Sequence, residues 1–481
     1  MPIELKRIGR APGLAFVLLL MTAAGCVHYQ PRPLSARQSA SELDRRTLDD
    51  QALKQFLEKN GPTESQIWPR QSWDFESLYL AALFYQPTLD VARAQWNVAT
   101  AGEKTAAQSP NPTVSVVPGY NATPAAGVTP WMPAVTFDVP IETMNKRGYR
   151  RAQSQHLSES ARWQIASEAW RVRGLLRTSL IDWRAANERE RLLRQQQELE
   201  EKIVEVLEAQ RRAGIISSSE VTLARIALDK IRLDSVEARR QRAEARVRMA
   251  EAIGISDAAL EGKEFVFPLE SPGMARRSTD ALEMRQRALE GRADIRAALS
   301  EYAATQAALQ LEIARQYPDI HLGPGYQFDQ GEHKFTLSAT LELPLLNQNQ
   351  GPIAQAEAKR AEAAARFLAL QARVIAEIDR AFAGVALADE QLRTLASLAV
   401  AQRGQREKFE AQFKAGAVDR LDVINAQLEE GTTQLLQLNG WVRAHEALGA
   451  LEDALQRPLA GLTARAFERS PRAAAMKGNQ P

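Results

Sequence analysis

Apolar residues recur at two different spacings along this chain, and each spacing predicts a different kind of element. Between Lys334 and Leu343, apolar side chains alternate with polar ones over ten residues, which is typical of a β-strand with one apolar face. Between Phe367 and Val385, apolar residues recur every three or four positions, which is typical of an amphipathic helix. The sequence therefore predicts a mainly α-helical protein with a small β part.

The predicted helices are unusually long. Residues 141–267 and 353–457 contain no proline and are rich in Ala, Arg, Glu, Gln and Leu, which are mostly strong helix formers. Some apolar residues in these tracts lie seven positions apart, which indicates the seam of a coiled coil. We expect each tract to turn at a glycine, Gly214 or Gly416, and to return as an antiparallel helix.

The same order of signals occurs twice along the chain. The segments TVSVVPGY, beginning at Thr113, and DIHLGPGYQF, beginning at Asp319, are 206 residues apart, and the two turn glycines are 202 residues apart. Each half reads as helix, strand, strand, long helix, glycine turn and second helix. We therefore predict two structural repeats, at residues 76–268 and 277–460.

The predicted strands determine what the protein can assemble into. The alternating segment puts four apolar residues on one strand face: Phe335, Leu337, Ala339 and Leu341. We expect this face to contact lipid, although a sheet packed on a soluble core would show the same alternation. One chain supplies four strands, whereas membrane barrels use about eight or more and cannot leave open edges in lipid. Embedded hairpins therefore require several chains, and three chains would supply twelve strands.

The N-terminus has the pattern of an export signal. Basic residues precede an apolar run at residues 14–24, and small residues then lead to Cys26. This ending resembles the lipobox of bacterial lipoproteins, which implies a signal peptide at residues 1–25, lipidation of Cys26 and an N-terminal lead-in at residues 26–75. The alternative is an ordinary signal peptide with an incidental cysteine. At the other end, we predict a disordered tail at residues 461–481.

Composition and motif content argue against most other classes of protein. Lys plus Arg is 61 and Asp plus Glu is 59, so there is no basic field for nucleic acid. A single cysteine excludes a disulfide framework, and a mean hydropathy of −0.34 excludes a bundle of transmembrane helices. The motifs of nucleotide-binding, metalloprotease and serine-hydrolase sites are missing from the sequence. We therefore expect no enzyme, no cofactor and no resident metal.

Together these features resemble the TolC-type outer membrane factors, over about residues 76–460. FDVPIETMNKRGYRRAQ and LELPLLNQNQGPIAQAEAKR are similar to the strand-to-helix junctions of that family's cobalt-zinc-cadmium efflux branch. The resemblance implies a homotrimer in the outer membrane of a Gram-negative bacterium, with a 12-stranded β-barrel continued by a 12-helix periplasmic α-barrel. It also implies a passive conduit that works with a periplasmic adaptor and a proton-driven inner-membrane transporter.

The resemblance also implies roles for particular residues. The two glycine turns would be periplasmic tips that dock the adaptor, through Gly214, Ile215, Ser217, Gly416 and Ala417. Glu220 and Asp422 match the acidic positions of the family's periplasmic gate, and Asn425 stands where a second aspartate often follows. A carboxylate in the first turn of a helix is also favoured by the helix dipole, which offers a purely structural role for Asp422.

Several functions stay open at this point. The two junction motifs favour heavy-metal cations as the exported cargo, and a multidrug or type I secretion channel of the same fold is the first alternative. Two alternatives belong to other classes, namely a lipid-anchored periplasmic adaptor and a structural coiled-coil lipoprotein. The duplicated order of strands and helices disfavours an adaptor, which normally carries one helical hairpin.

Overall fold

A computed structural model of the chain describes residues 28–61, 68–267 and 281–459. The predicted signal peptide, Cys26 and the predicted tail at residues 461–481 lie outside the described residues. The chain divides into two compact units, residues 1–45 and residues 46–481. In the first unit, helix α1 (Ala36–Asp44) begins after Ser35, whose hydroxyl accepts a hydrogen bond from the N–H of Gln38.

The second unit is mainly helical, as predicted. Its described helices are α2 (Gln51–Asn60), α3 (Phe75–Tyr85), α4 (Pro87–Ala106), α5 (Lys146–Arg212), α6 (Ser218–Ile253), α7 (Ala281–Gly291), α8 (Ala293–Ala314), α9 (Gln350–Lys414) and α10 (Arg420–Leu455). Its described strands are β1 (Ser72–Asp74), β2 (Thr113–Tyr120), β3 (Trp131–Ile141), β4 (Glu264–Val266), β5 (Ile320–Asp329) and β6 (Glu332–Leu341). Among these helices, none is both long and apolar enough to cross a membrane.

The four longest helices lie side by side. Helices α5 and α9 have 67 and 65 residues, which at a rise of about 1.5 Å per residue gives roughly 100 Å each. Helix α6 packs antiparallel on α5, α10 packs antiparallel on α9, and α5 also packs against α10. The lateral order within the described residues is therefore α6, α5, α10, α9, with α6 and α9 at the two edges.

The two predicted hairpins form one four-stranded antiparallel sheet in the order β2, β3, β5, β6. The two repeats meet where β3 pairs with β5, with Val135 opposite Tyr326 and Ile141 opposite Ile320. Strands β2 and β6 are the edges of this sheet within the described residues.

One face of the sheet is apolar on every strand. The register puts Phe335 and Leu337 of β6 on the same face as Tyr326 and Pro324 of β5, and this alignment continues across β3 and β2. Phe335 is 81% exposed and Leu337 is 77% exposed. The opposite face carries polar side chains, such as Ser338. The alternation seen in the sequence of β6 therefore extends over the whole sheet.

The largest hydrophobic core lies where the short helices meet α5 and α6. Helix α3, with the sequence FESLYLAALFY, has buried residues on every side, from Ser77 to Tyr85. Trp73 of β1 is fully buried beside it, and β1 pairs in parallel with β4. Residues 46–75, which the sequence marked only as a lead-in, supply Leu53 and Phe56 to the same core. The predicted boundary at residue 76 thus falls inside a packed unit.

Candidate functional site

Both glycine turns have the same backbone geometry. Gly214 has a φ of 76° and Gly416 has a φ of 75°, a left-handed conformation that side chains with a Cβ adopt at a cost. The next N–H, from Ile215 or Ala417, donates to the carbonyl oxygen of the fifth residue before it, at 3.0 and 2.9 Å. This hydrogen bond closes the end of each long helix. A Cβ on either glycine would meet open space, so the backbone at both turns is accessible.

The predicted docking residues lie together at one end of the four-helix array. Ile203, Ala224 and Ile424, from α5, α6 and α10, form a common hydrophobic cluster near the turns. Ile215 is 71% exposed, and the other predicted docking residues are exposed as well. The structure thus places both turns at the same end of the helices and leaves all five residues exposed.

The two predicted gate carboxylates lie in the first turns of α6 and α10. Glu220 Oε1 accepts a hydrogen bond from the N–H of Ser217 at 3.2 Å. Asp422 Oδ2 accepts one from the N–H of Asp419 at 3.1 Å, and its own N–H donates to Asp419 Oδ1 at 3.0 Å. Each carboxylate therefore stabilises the start of a helix. Their role as a gate stays a prediction, and Asn425 is exposed one turn further on.

The strand-to-helix junctions, identified in the sequence only as motifs, are tightly held. Asn145 and Asn349 immediately precede α5 and α9, and both are left-handed, with φ values of 58° and 62°. Asparagine adopts this conformation more readily than most residues. The buried Lys146 Nζ lies 2.7 Å from the carbonyl oxygen of Tyr317 and 2.7 Å from Asp319 Oδ1. This contact joins the first repeat to the second directly below the sheet.

The electrostatics of this clamp favour a charged pair. Burial raises the pKa of Asp319, but the hydrogen bonds from Lys146 and Thr143 outweigh it and leave the pKa below its usual value. The Thr143 N–H donates to Asp319 Oδ1 at 2.9 Å. Asp319 is therefore ionised at neutral pH and stabilises the ammonium group of Lys146.

A buried ionic cluster, which the sequence did not indicate, joins the two repeats deeper in the helices. Arg173 and Arg177 of α5 contact Glu452 at 2.5 and 2.9 Å, and Arg177 Nη2 also donates to the carbonyl oxygen of Gly449 at 2.8 Å. A Cβ on Gly449 would clash with the guanidinium group of Arg177, so a larger residue here would displace this arginine from its present position. Burial raises the pKa of the neighbouring Glu76 to about 7, against the opposing charge of Arg173.

The polar face of the sheet carries a hydrogen-bonded pair of side chains across the junction of the two repeats. His321 Nδ1 of β5 lies 3.0 Å from Asp138 Oδ1 of β3, and both side chains are about half exposed. Within the described residues, no group of three or more His, Cys, Asp or Glu side chains could hold a metal ion. The chain thus presents a polar surface here rather than a binding cage.

The model of the outer membrane efflux protein family matches residues 78–255 and 284–456, which is most of the chain. The chain belongs to the outer membrane efflux protein family. The resemblance predicted from the junctions and repeats is therefore confirmed. The protein is a passive channel of the outer membrane and not an enzyme, as predicted. The adaptor and the structural lipoprotein are excluded as alternatives.

Known relatives agree with this membership. The cobalt-zinc-cadmium resistance protein CzcC of Cupriavidus metallidurans is 25% identical over 313 residues, which cover 60% of this chain and 69% of CzcC. The outer-membrane channel OprN matches with a TM-score of 0.65 at 18% identity, over 90% of this chain and 99% of OprN. VceC from Vibrio cholerae matches with a TM-score of 0.65 at 17% identity, over 80% and 97% of the two chains. The efflux channel therefore has the fold of these outer membrane proteins, and the predicted fold class is confirmed.

Proposed function

We propose that three copies of this efflux channel form one conduit, which serves as the outer membrane exit of a tripartite system exporting heavy-metal cations. The observation that carries this proposal is the four-stranded sheet with one predominantly apolar face and two edge strands. Such a sheet is too small to close on itself, and an open edge in lipid leaves N–H and C=O groups unsatisfied. Three copies would supply twelve strands in a closed barrel.

The distribution of side chains supports an orientation for this barrel. The apolar face would contact lipid, and the polar face with Asp138 and His321 would line the water-filled bore. Tyr120 and Trp131 pack edge to face, 5.1 Å apart, at the end of the first hairpin. The end of the second hairpin also carries an aromatic group, centred on Tyr326 and Phe335. Aromatic residues at this level are typical of a membrane interface, here the outer one.

The long helices would extend the conduit into the periplasm. The tip surface, formed by Gly214, Ile215, Ser217, Gly416 and Ala417, would then be its far end. An adaptor protein would dock there, because a helical hairpin can approach a backbone that carries mostly small side chains, and Ile215 adds an exposed apolar contact. The adaptor would connect the channel to a proton-driven inner-membrane transporter. Lipidation of Cys26 would add an anchor in the outer membrane.

The proposed cargo rests on similarity to one branch of the family, seen in a relative and in two sequence motifs. CzcC is named a cobalt-zinc-cadmium resistance protein, and the strand-to-helix junctions of this chain resemble the same branch. A multidrug or type I secretion channel would need the same barrel, so the geometry alone does not separate these cargoes.

Deleting the gene and measuring growth inhibition by Co²⁺, Zn²⁺, Cd²⁺ and a set of hydrophobic drugs distinguishes the cargoes. We expect sensitivity to the metals to rise while drug sensitivity stays the same, and a plasmid copy of the gene to restore resistance. Sensitivity to drugs alone would favour the multidrug alternative. A purified protein that is monomeric in detergent and never migrates as a trimer would contradict the shared barrel itself.

A further inference from the structure

The seam between the two repeats shows how one copy of this sheet pairs with another. Within the chain, β3 and β5 form this internal seam in a fixed antiparallel register. Its pairs include Ile141 with Ile320, Val139 with Leu322, Thr136 with Gly325 and Val135 with Tyr326. The last two pairs lie toward the hairpin ends, and the first two lie next to the long helices.

The duplication assigns an equivalent to every residue of this seam. Asn145 and Asn349 occupy the same left-handed position before the long helices, so β3 corresponds to β6 with an offset of 204 residues. Both β2 and β5 contain the sequence Pro-Gly-Tyr, beginning at Pro118 and Pro324, so β5 corresponds to β2 with an offset of 206 residues. The internal seam can therefore be transferred, pair by pair, to the two edge strands.

We propose that β6 of one copy pairs with β2 of a neighbouring copy in the register that β3 and β5 use within the chain. This inference rests on the proposed trimer and defines its inter-chain seam. The register predicts four pairs, with the second residue of each in the neighbouring copy: Leu345 with Val114, Leu343 with Val116, Thr340 with Gly119 and Ala339 with Tyr120.

The chemistry of these pairs matches the internal seam. Two aliphatic pairs again lie next to the helices, a tyrosine again faces a small apolar residue, and a threonine again faces a glycine. The glycine has a steric reason, because a Cβ on Gly325 would lie 3.0 Å from Cγ2 of Thr136. A slip of two residues would place Thr340 opposite Val117 or Asn121 and would lose this match. The register is therefore specified by the side chains.

The ends of the edge strands are apolar and uncovered. Strand β3 extends to Ile141, whose equivalent is Leu345, but β6 ends at Leu341. Beyond that point the chain turns tightly, with the N–H of Leu345 donating to the carbonyl oxygen of Leu343 at 2.8 Å. Leu343 is 68% exposed and Leu345 is 78% exposed. Pairing with β2 of a neighbouring copy would extend β6 through Leu343 and Leu345 and would cover these two residues on one side.

The long helices support the same equivalence between the internal seam and the seam between copies. Helices α6 and α10 are both 36 residues long and are related by an offset of 202 residues. In α10, Leu435 and Leu438 pack on α5 in a hydrophobic cluster. Their equivalents in α6, Leu233 and Val236, are 69% and 53% exposed. Because α9 is the equivalent of α5, α9 of a neighbouring copy is the helix that would cover them.

The inter-chain seam does not repeat the polar side-chain contacts of the internal one. The equivalents of Asp138 and His321 are Glu342 and, in the neighbouring copy, Ser115. The clamp between Lys146 and Asp319 crosses the internal seam at 2.7 Å. By the two offsets, the equivalents are Gln350 and Thr113 of the neighbouring copy, which are both uncharged. The seam between copies therefore lacks the ionic clamp that holds the seam within each copy.

Cysteine pairs test the register in the intact protein. Leu343→Cys with Val116→Cys, oxidised in outer membrane fractions, should give a covalently closed trimer on denaturing gels. Leu343→Cys with Tyr120→Cys is the matched control, since it is four residues out of register, or about 13 Å along the strand. The single variants measure background, including any from Cys26. Equal linking by both pairs, or linking by the control alone in a protein that still forms trimers, would overturn the register and leave the channel function intact. If the wild-type protein itself did not form trimers, the proposed function would be contradicted instead.

A second pair of substitutions tests the clamp. Gln350→Lys with Thr113→Asp places a lysine and an aspartate at the positions equivalent to Lys146 and Asp319. We expect the double variant to raise the temperature at which the trimer dissociates in detergent, and to exceed both single variants. A double variant no more resistant to heat than the singles would contradict the transfer of the internal seam to the neighbouring copy.

Discussion

At the scale of single residues, the tip glycines need left-handed backbone and also leave their surroundings open. Gly416→Val should cost about 1–2 kcal/mol of stability, because a β-branched residue strains a φ of 75°. It should also reduce cross-linking to the adaptor and reduce metal export, while the trimer still forms. Gly262 has a φ of 72° and open space around it, but lies away from the tips, so Gly262→Val is the matched control. A similar loss of export in both variants would attribute the effect to strain and not to docking.

Glu76 is a second residue whose environment makes a measurable prediction. Burial raises its folded-state pKa to about 7 from 4.5, so the ionised carboxylate destabilises the folded state above pH 7. This cost disappears as the pH falls from 7 to 4.5, because the Glu76 carboxylate is protonated at a higher pH in the folded protein than in the unfolded chain. Glu76→Gln should therefore stabilise the protein at pH 8 by about 1 kcal/mol, discounted for partial exposure, and should change little at pH 4.5.

Thermal unfolding in detergent at the two pH values measures this effect. Glu58→Gln, in α2, serves as the control because Glu58 is 64% exposed and forms only a surface pair with Lys54. A stabilisation by Glu76→Gln that is equal at both pH values would contradict the assignment to a buried carboxylate.

The role of a residue could be predicted from the sequence where it depends on neighbouring residues in the chain, and could not where it depends on contacts that form only on folding. The turns at Gly214 and Gly416 could be predicted because a glycine that interrupts a long helical pattern is a local signal. The place of Asp422 at the start of a helix, which is the structural alternative to a gate, could be predicted for the same reason. The capping hydrogen bonds of Glu220 and Asp422 are visible only in the structure. The buried Arg177 could not be predicted, since α5 and α10 come together only in the folded chain and a charged residue on a helix ordinarily faces water.

At the scale of elements, the two faces of the sheet should respond oppositely to the same substitution. Leu337→Arg places a charge on the apolar face of β6, at a cost of about 2–4 kcal/mol if this face contacts lipid near the bilayer midplane. Ser338→Arg changes the next residue, on the polar face, and should be tolerated. Urea resistance and the yield of folded protein in outer membrane fractions measure both. Normal assembly of Leu337→Arg would contradict the lipid-facing assignment.

The elements that sequence predicted well are those with a strong period. Strand β6 alternates over its full length, and α9 keeps an apolar stripe without a proline, so both were found. Helices α3 and α4 together occupy the place of the one helix predicted ahead of β2, and α3 is apolar on all sides and carries no period that would distinguish it. The pairing of β1 with β4 was missed, because two three-residue strands about 190 positions apart leave no local signal.

At the scale of the whole molecule, one exposed surface in a single chain should become buried on assembly. Leu233 of α6 is 69% exposed, whereas its equivalent Leu435 packs against α5. Leu233→Glu should leave the fold of each chain intact and weaken the trimer, because an inter-chain contact would have to bury a carboxylate. Leu435→Glu should instead destabilise the chain itself. Mass photometry in detergent, combined with circular dichroism, distinguishes loss of assembly from loss of folding. If Leu233→Glu remained trimeric at the same protein concentration, the neighbouring helix could not cover this position, and the equivalence between the internal and inter-chain seams would be limited to the strands.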